Sequence, residues 1–278
     1  MKKTFNAVKN AFVSILAVAT ILSFSLALSS CSKKESAAGG KVRTVIVGTG
    51  TKFDKVCYLD ENGVLSGYEI DVIKAIDDLL PDYKFEFETF EFKDILISLS
   101  TGKIDMGAHQ FEENDERRKN YLFSNEVYTS FILHIEVPGD NDTIHSIDDL
   151  QGKKVLASVG DNGAYMLEQY NKNHPDNPIE LIYMQSPSTE TKIAGYESGR
   201  WDAATNTLRG ISDTNERYGT NFKAVGEPVA SSFTYYLYKK GDTALQEAVD
   251  GAIKQLKSSG KLAEISIKNL GADYTEGE

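Results

Sequence analysis

Arg117 has the setting that most suggests chemistry in this chain. Asn114, three positions earlier, is a good helix N-cap, so Arg117 falls in the first turn of a helix. The helix dipole disfavours a cation there, which points to a positional use. A guanidinium grips a carboxylate with two parallel hydrogen bonds. Arg118, next to it, reads as an ordinary solvated charge. Upstream, residues 104–108 read as a strand; if its period of two continues, Gln110 and Glu112 share one face and His109 takes the other. A second candidate is Ser158-Val159-Gly160-Asp161-Asn162-Gly163, between a strand and a helix. Glycines there let backbone N–H groups converge on an anion at the helix N-terminus. The histidines at 109, 134, 145 and 174 form no metal spacing, and no Gly-x-Ser-x-Gly elbow or Gly-Lys-Ser/Thr phosphate loop occurs. A metal site, a cofactor and a serine hydrolase are therefore not expected.

The elements that must position these residues alternate. Runs rich in β-branched residues fall at 42–49, 83–90, 104–108, 130–136, 154–158, 179–183, 222–225 and 233–238. Helical patterns with turn signals lie between many of them, at 70–80, 93–100, 189–198 and 243–257. Strands alternating with helices imply α/β architecture with mainly parallel sheets. One pattern occurs twice: residues 96–105 and 194–203 each read as helix, glycine stop, basic residue and a strand beginning with Asp. Two copies of one device suggest two similar lobes.

The first 30 residues read as an export signal: Lys2, Lys3 and Lys9, an apolar stretch to Leu28, then Leu28-Ser29-Ser30-Cys31. That last order resembles a bacterial lipobox, in which Cys31 is lipidated and becomes the first mature residue. Residues 31–43 read as a flexible tether. Removing Lys2, Lys3 and Lys9 with the signal takes the formal charge from −11 to −14, a balance that repels phosphates and argues against nucleic acid. Cys57 is the only cysteine beyond Cys31 and is expected to be a small buried hydrophobe.

Gly63-Val64-Leu65-Ser66-Gly67-Tyr68-Glu69-Ile70-Asp71-Val72, Gly102-Lys103-Ile104-Asp105, Asn114-Asp115-Glu116-Arg117, Phe123-Ser124, Asp149-Leu150-Gln151-Gly152-Lys153-Lys154-Val155 and Gly199-Arg200-Trp201-Asp202-Ala203 occur in one colinear order. Together they resemble the polar amino-acid group (family 3) of bacterial extracellular solute-binding proteins, over about residues 44–271. The resemblance implies a type II periplasmic-binding-protein-like clamp. Each lobe would be a mixed, mainly parallel sheet flanked by helices, with two hinge crossovers near 127–131 and 230–234. Lobe one would take residues 44–129 and 233–278, and lobe two residues 130–232.

The resemblance also implies that Arg117 takes the ligand carboxylate, and that Ser158 and Asn162 add contacts from lobe two. Phe53 and Phe92 match positions that stack on the ligand, and Gln110 and Glu112 face the cleft. Asn206 and Thr207 fall where the family holds the ligand ammonium, usually with an Asp in place of Thr207. Gly50 likewise stands where a relative has an acidic residue, and Glu112 compensates from the opposite lobe. Within the family, Gly107-Ala108-His109-Gln110-Phe111-Glu112 with Glu116-Arg117, and Asn171-Lys172-Asn173-His174-Pro175-Asp176-Asn177-Pro178, look most like cystine-type receptors. The expected protein is a monomeric, extracytoplasmic, lipid-anchored receptor. It would pass an amino-acid-like solute to an ABC transporter permease and would not be an enzyme. A ligand sensor for a membrane partner, and a dehydratase on the same clamp, are the competing readings.

Overall fold

Alternating β-branched residues make strands because one face of each can be buried, and β1 (Arg43–Thr49) shows the pattern with Val45 and Val47 inaccessible to solvent. The computed structural model describes residues 41–275; the export signal expected at residues 1–30 and the lipidation expected at Cys31 lie outside them. In chain order β1 is followed by a small antiparallel sheet of β2 (Lys52–Phe53), β3 (Cys57–Leu59) and β4 (Leu65–Ser66). Then come α1 (Tyr68–Leu79), β5 (Tyr83–Thr89), α2 (Phe92–Thr101), β6 (Met106–Glu112), α3 (Asp115–Asn120), β7 (Tyr121–Phe123) and β8 (Thr129–Val137). The second half holds β9 (Lys154–Ser158), α4 (Asn162–Asn173), β10 (Glu180–Met184), α5 (Thr189–Glu197), β11 (Ala203–Asn206) and α6 (Leu208–Tyr218). The long strand β12 (Lys223–Lys239) leads back to α7 (Thr243–Ser258) and α8 (Lys261–Leu270).

The main sheet runs β10-β9-β11-β8-β12-β6-β1-β5, with β7 also on β12. β1 pairs in parallel with β5 and β6, and β9 in parallel with β10 and β11. The remaining pairings of this sheet, all through β8 or β12, are antiparallel. The expected two sheets are thus one continuous ribbon. Its cause is β12, whose 17 residues reach about 55 Å at strand rise. The runs at 222–225 and 233–238 are the two ends of that strand. β12 lies beside β8 with a register shift between Val225 and Ala230, where the ribbon passes from one half to the other.

Each half has its own core. In the first, α1, α7 and α8 cover the sheet around Val45, Ile73, Ile76, Tyr236, Val249 and Ile253, and Cys57 is buried with them. A second cluster on the other face joins Ile95, Leu99, Ile104, Phe111 and Phe123. The second half packs Ile135, Val155, Leu167 and Ile179 on one side, and Trp201 with Leu156 and Ala204 on the other. Among the described residues no helix is long and apolar enough to cross a membrane.

Candidate functional site

Between the halves lies a cavity of about 980 Å³, at the upper end of the usual range for small-molecule sites. Asn114 caps α3 as expected, its Oδ1 accepting the Arg117 N–H at 2.9 Å. That cap fixes the first helical turn and turns Arg117 inward, where it is 4% exposed. Its guanidinium donates to the Glu112 carbonyl at 2.7 Å and to the Gly160 carbonyl at 2.8 Å, the latter across the cleft. The Phe92 and Phe111 rings sit against the guanidinium, 5.7 and 5.5 Å from centroid to Cζ. Burial pulls the Arg117 pKa down from its ordinary value, opposed by the charges of Glu112 and Asp161.

Glu112 is the acceptor partner. Its Oε1 receives Ser232 Oγ–H at 2.7 Å and Asn162 Nδ2–H at 3.1 Å, which ties lobe one to the hinge strand and to α4. Asn162 Oδ1 in turn accepts from Asn114 Nδ2 at 3.1 Å. Burial pushes the Glu112 carboxyl up to about 7, against the bonds and the nearby Arg117 charge that favour ionisation. Asp161 caps α4 through Ala164 N–H at 2.6 Å, and burial raises its pKa as well. Where lobe two meets the cavity, Lys192 and Asn206 donate to the inaccessible Glu136 at 3.1 and 2.6 Å.

Of the sequence candidates, Phe53, Phe92, Gln110, Glu112, Arg117, Ser158, Asn162 and Asn206 all line this one cavity. Thr207 does not. Its hydroxyl caps α6, accepting Gly210 N–H at 3.0 Å. The hydroxyl that stands where the resemblance usually sets an Asp thus serves the start of α6. His109 departs from expectation in the other direction. Strand alternation put it on the far face, yet it lines the cavity, stacked on Phe53 at 5.6 Å and edge-on to Phe92 at 5.0 Å. The alternation fails because Gln110 has φ 49, and β6 and β12 lose register between Tyr235 and Leu237. Burial lowers the His109 pKa to about 4, so the ring is neutral. Gly50 matters for the same reason, since a Cβ there would collide with the His109 ring. His109 occupies the room that an acidic side chain at position 50 needs.

Sequence reasoning missed Glu136, Lys192, Ser232 and two ion pairs across the cleft mouth, Lys55–Asp213 and Arg217–Asp54, both at 2.6 Å. The pairs lacked a signal because charged residues on α6 look like any solvated face. Arg118 is exposed and pairs with Glu113, as its reading required. No group of His, Cys, Asp or Glu able to hold a metal ion occurs among the described residues. The arrangement offers donors to a carboxylate, acceptors to an ammonium and aromatic faces between, which suits a zwitterion.

The family model of bacterial extracellular solute-binding proteins, family 3, matches residues 45–272. The L-cystine-binding protein TcyK of Bacillus subtilis is 38% identical over 269 residues, 96% of this chain and 98% of that one. The L-cystine-binding protein TcyJ of the same organism is 39% identical over 253 residues, 91% and 93% of the two chains. A solved structure of a putative L-cystine ABC transporter protein from Listeria monocytogenes superposes with TM-score 0.80 at 38% identity, covering 84% of this chain and 99% of that one. The chain belongs to the bacterial extracellular solute-binding proteins of family 3.

Proposed function

We propose that this protein is the extracytoplasmic substrate-binding receptor of an ABC importer and that its solute is L-cystine or a closely related polar amino acid. The observation that carries the reading is the Arg117 guanidinium, buried in the cleft wall and bonded to carbonyls of both lobes. A buried cation held this way is suited to a carboxylate that enters as the lobes close. Glu112, which lines the cavity beside Arg117, takes the ammonium role: the entering cation offsets the burial that raises its pKa and keeps the carboxylate ionised. Phe53 and Phe92 flank the ligand, and Asn162, Ser158 and Asn206 line it from lobe two. The named cystine receptors among the relatives support the choice of solute. Closure would move residues 44–129 with 233–278 against residues 130–232.

The signal peptide at 1–30 and lipidation of Cys31 belong to the same proposal on their sequence alone: the thioether lipid keeps the receptor beside its permease, and residues 31–43 give it reach. Thermal-shift screening of the purified protein against amino acids, cystine and short peptides tests the solute. Cystine should raise the melting temperature and be recovered unchanged. A screen in which only other solutes act, or in which the ligand is converted, overturns the reading. Changing Cys31 to Ser should release the protein from membranes, and continued retention counts against lipidation.

A further inference from the structure

Gln110 breaks two rules at once. It stands within strand β6 with φ 49, in the left-handed region that only glycine enters freely. Its side chain lines the cavity and is 4% exposed, yet neither its amide oxygen nor its amide nitrogen has a hydrogen-bond partner in the protein. Stranding buried polar atoms is costly, and so is a left-handed backbone under a long side chain. A glycine would hold this backbone without strain, so the side chain has another use.

The surroundings enforce the strained turn. Because β6 bulges here, the Gln110 N–H has left the ladder with β12. It donates instead to Glu69 Oε2 at 3.1 Å and to Tyr128 Oη at 3.0 Å, and Tyr128 Oη–H donates to the same Glu69 oxygen at 2.9 Å. Glu69 is inaccessible to solvent, in the first turn of α1, and does not line the cavity. Its carboxylate acts through the backbone of Gln110.

We propose that Gln110 is a specificity-determining residue, its amide reading a ligand group that both accepts and donates hydrogen bonds, and that Glu69 is the residue that positions it. This rests on the receptor reading above and deepens it. Arg117 has donors only, whereas the Gln110 amide supplies one acceptor and two donors. The matching ligands carry, besides an α-carboxylate, a second end that is an amide or an amino-acid head. A ligand ending in a methyl group leaves both Gln110 atoms stranded.

Calorimetry on the purified protein with two pairs of probes tests this: L-cystine against S-ethylthio-L-cysteine, which keeps the disulfide but lacks the second head, and L-glutamine against L-methionine. The unaltered protein should prefer the polar-ended member of the bound pair by about tenfold or more. Gln110→Gly should abolish that preference without lowering the melting temperature of the ligand-free protein. Glu69→Ala should lose the preference, while Glu69→Gln, which keeps an acceptor oxygen, should retain it. A preference that survives Gln110→Gly overturns the proposal. So does a fall in that variant's melting temperature, which would assign the side chain to the fold, and so does equal behaviour of the two Glu69 variants. If L-cystine fails but L-glutamine binds, the cystine reading falls and Gln110 is judged on the second pair. Binding of none of the four overturns both.

Discussion

In the first lobe α2 ends at Gly102 with φ 76, and Asp105 then ties the strand start: its N–H donates to Ile46 O at 2.9 Å and its Oδ2 accepts Ile46 N–H at 3.0 Å. In the second lobe α5 ends at Glu197 and Gly199 follows its cap with φ 67, and Asp202 makes the same two bonds with Lys154, at 2.7 and 2.9 Å. The backbone solution is one solution used twice. Beyond each Asp the two lobes diverge. β6 runs seven residues and delivers His109, Gln110 and Glu112 to the cavity before α3 brings Arg117. β11 runs four residues and ends at Asn206, with Thr207 used up as a cap. Lobe one presents Glu112 and Arg117 at the cavity wall, and lobe two meets them with the Gly160 carbonyl and the Asn162 amide, with Asp161 and Lys192 beside them. On the proposed receptor reading, the same scaffold reads the ligand on one side and covers it on the other.

The residue before each Asp gives the largest test. Ile104 is one member of a broad cluster with Ile95, Leu99, Phe111 and Phe123, whereas Trp201 is the largest side chain of a smaller cluster with Leu156 and Ala204 and lies directly beneath Gly195. Trp201→Ala should cost about 3–5 kcal/mol of stability, read from denaturant unfolding. A loss below about 1 kcal/mol would mean that lobe two does not depend on the indole. Next comes the reading side. Arg117→Ala should weaken L-cystine binding by about 2–5 kcal/mol, because Glu112 and the ligand carboxylate lose their buried counter-charge. Calorimetry that finds unchanged affinity removes Arg117 from the site and with it the asymmetry of the lobes.

Much of this was open to sequence reasoning, for reasons that particular elements show. β9 falls at 154–158 as expected, since a short apolar run between turn signals has one sensible strand reading. Arg117 was found through the Asn114 cap, a local rule that tertiary structure left intact. β6 was expected at 104–108 and lies two residues later, extending to 112. His109, Gln110 and Glu112 are polar yet buried at the cavity wall, which hides a strand from any hydrophobic pattern. The side taken by His109 could not be read, because nothing local announces a glutamine at φ 49. Thr207 also carried a local signal: a Thr just before the segment ending at Gly219 is a good N-cap, and it caps α6.

Titration sharpens the comparison at a smaller scale. Burial pushes Glu112 and Glu69 up to about 7 and pulls His109 down to about 4, and all three belong to lobe one. A carboxyl raised in the native state keeps a proton that the unfolded chain has released above about 4.5. Its contribution is full below that pH and is lost as pH rises through 7. His109 runs the other way, contributing fully above 6.5 and losing its share as pH falls toward 4. Between pH 6.5 and 7.5 the two carboxyls dominate, so the melting temperature should drop there, with about 0.7 kcal/mol of stability lost for each group. Glu112→Gln should flatten part of that slope. A melting temperature that rises across this window would contradict the burial of both carboxyls.

The smallest effect belongs to the cleft mouth, where the lobes exchange charge evenly: lobe one gives Lys55 and Asp54, and α6 of lobe two gives Asp213 and Arg217. The Arg217 and Asp54 side chains are 60% and 44% exposed, so water and salt screen the attraction. Exposed pairs of this kind contribute about 0–1 kcal/mol. Asp213→Asn or Asp54→Asn should therefore change ligand affinity by less than about fivefold, and the change should vanish near 1 M salt, where screening acts over about 3 Å. Exchanging Asp54→Arg with Arg217→Asp should restore whatever Asp54→Arg alone removes. A large loss that persists in high salt would mean that α6 holds the ligand itself, and lobe two would then be a reader as well as a cover.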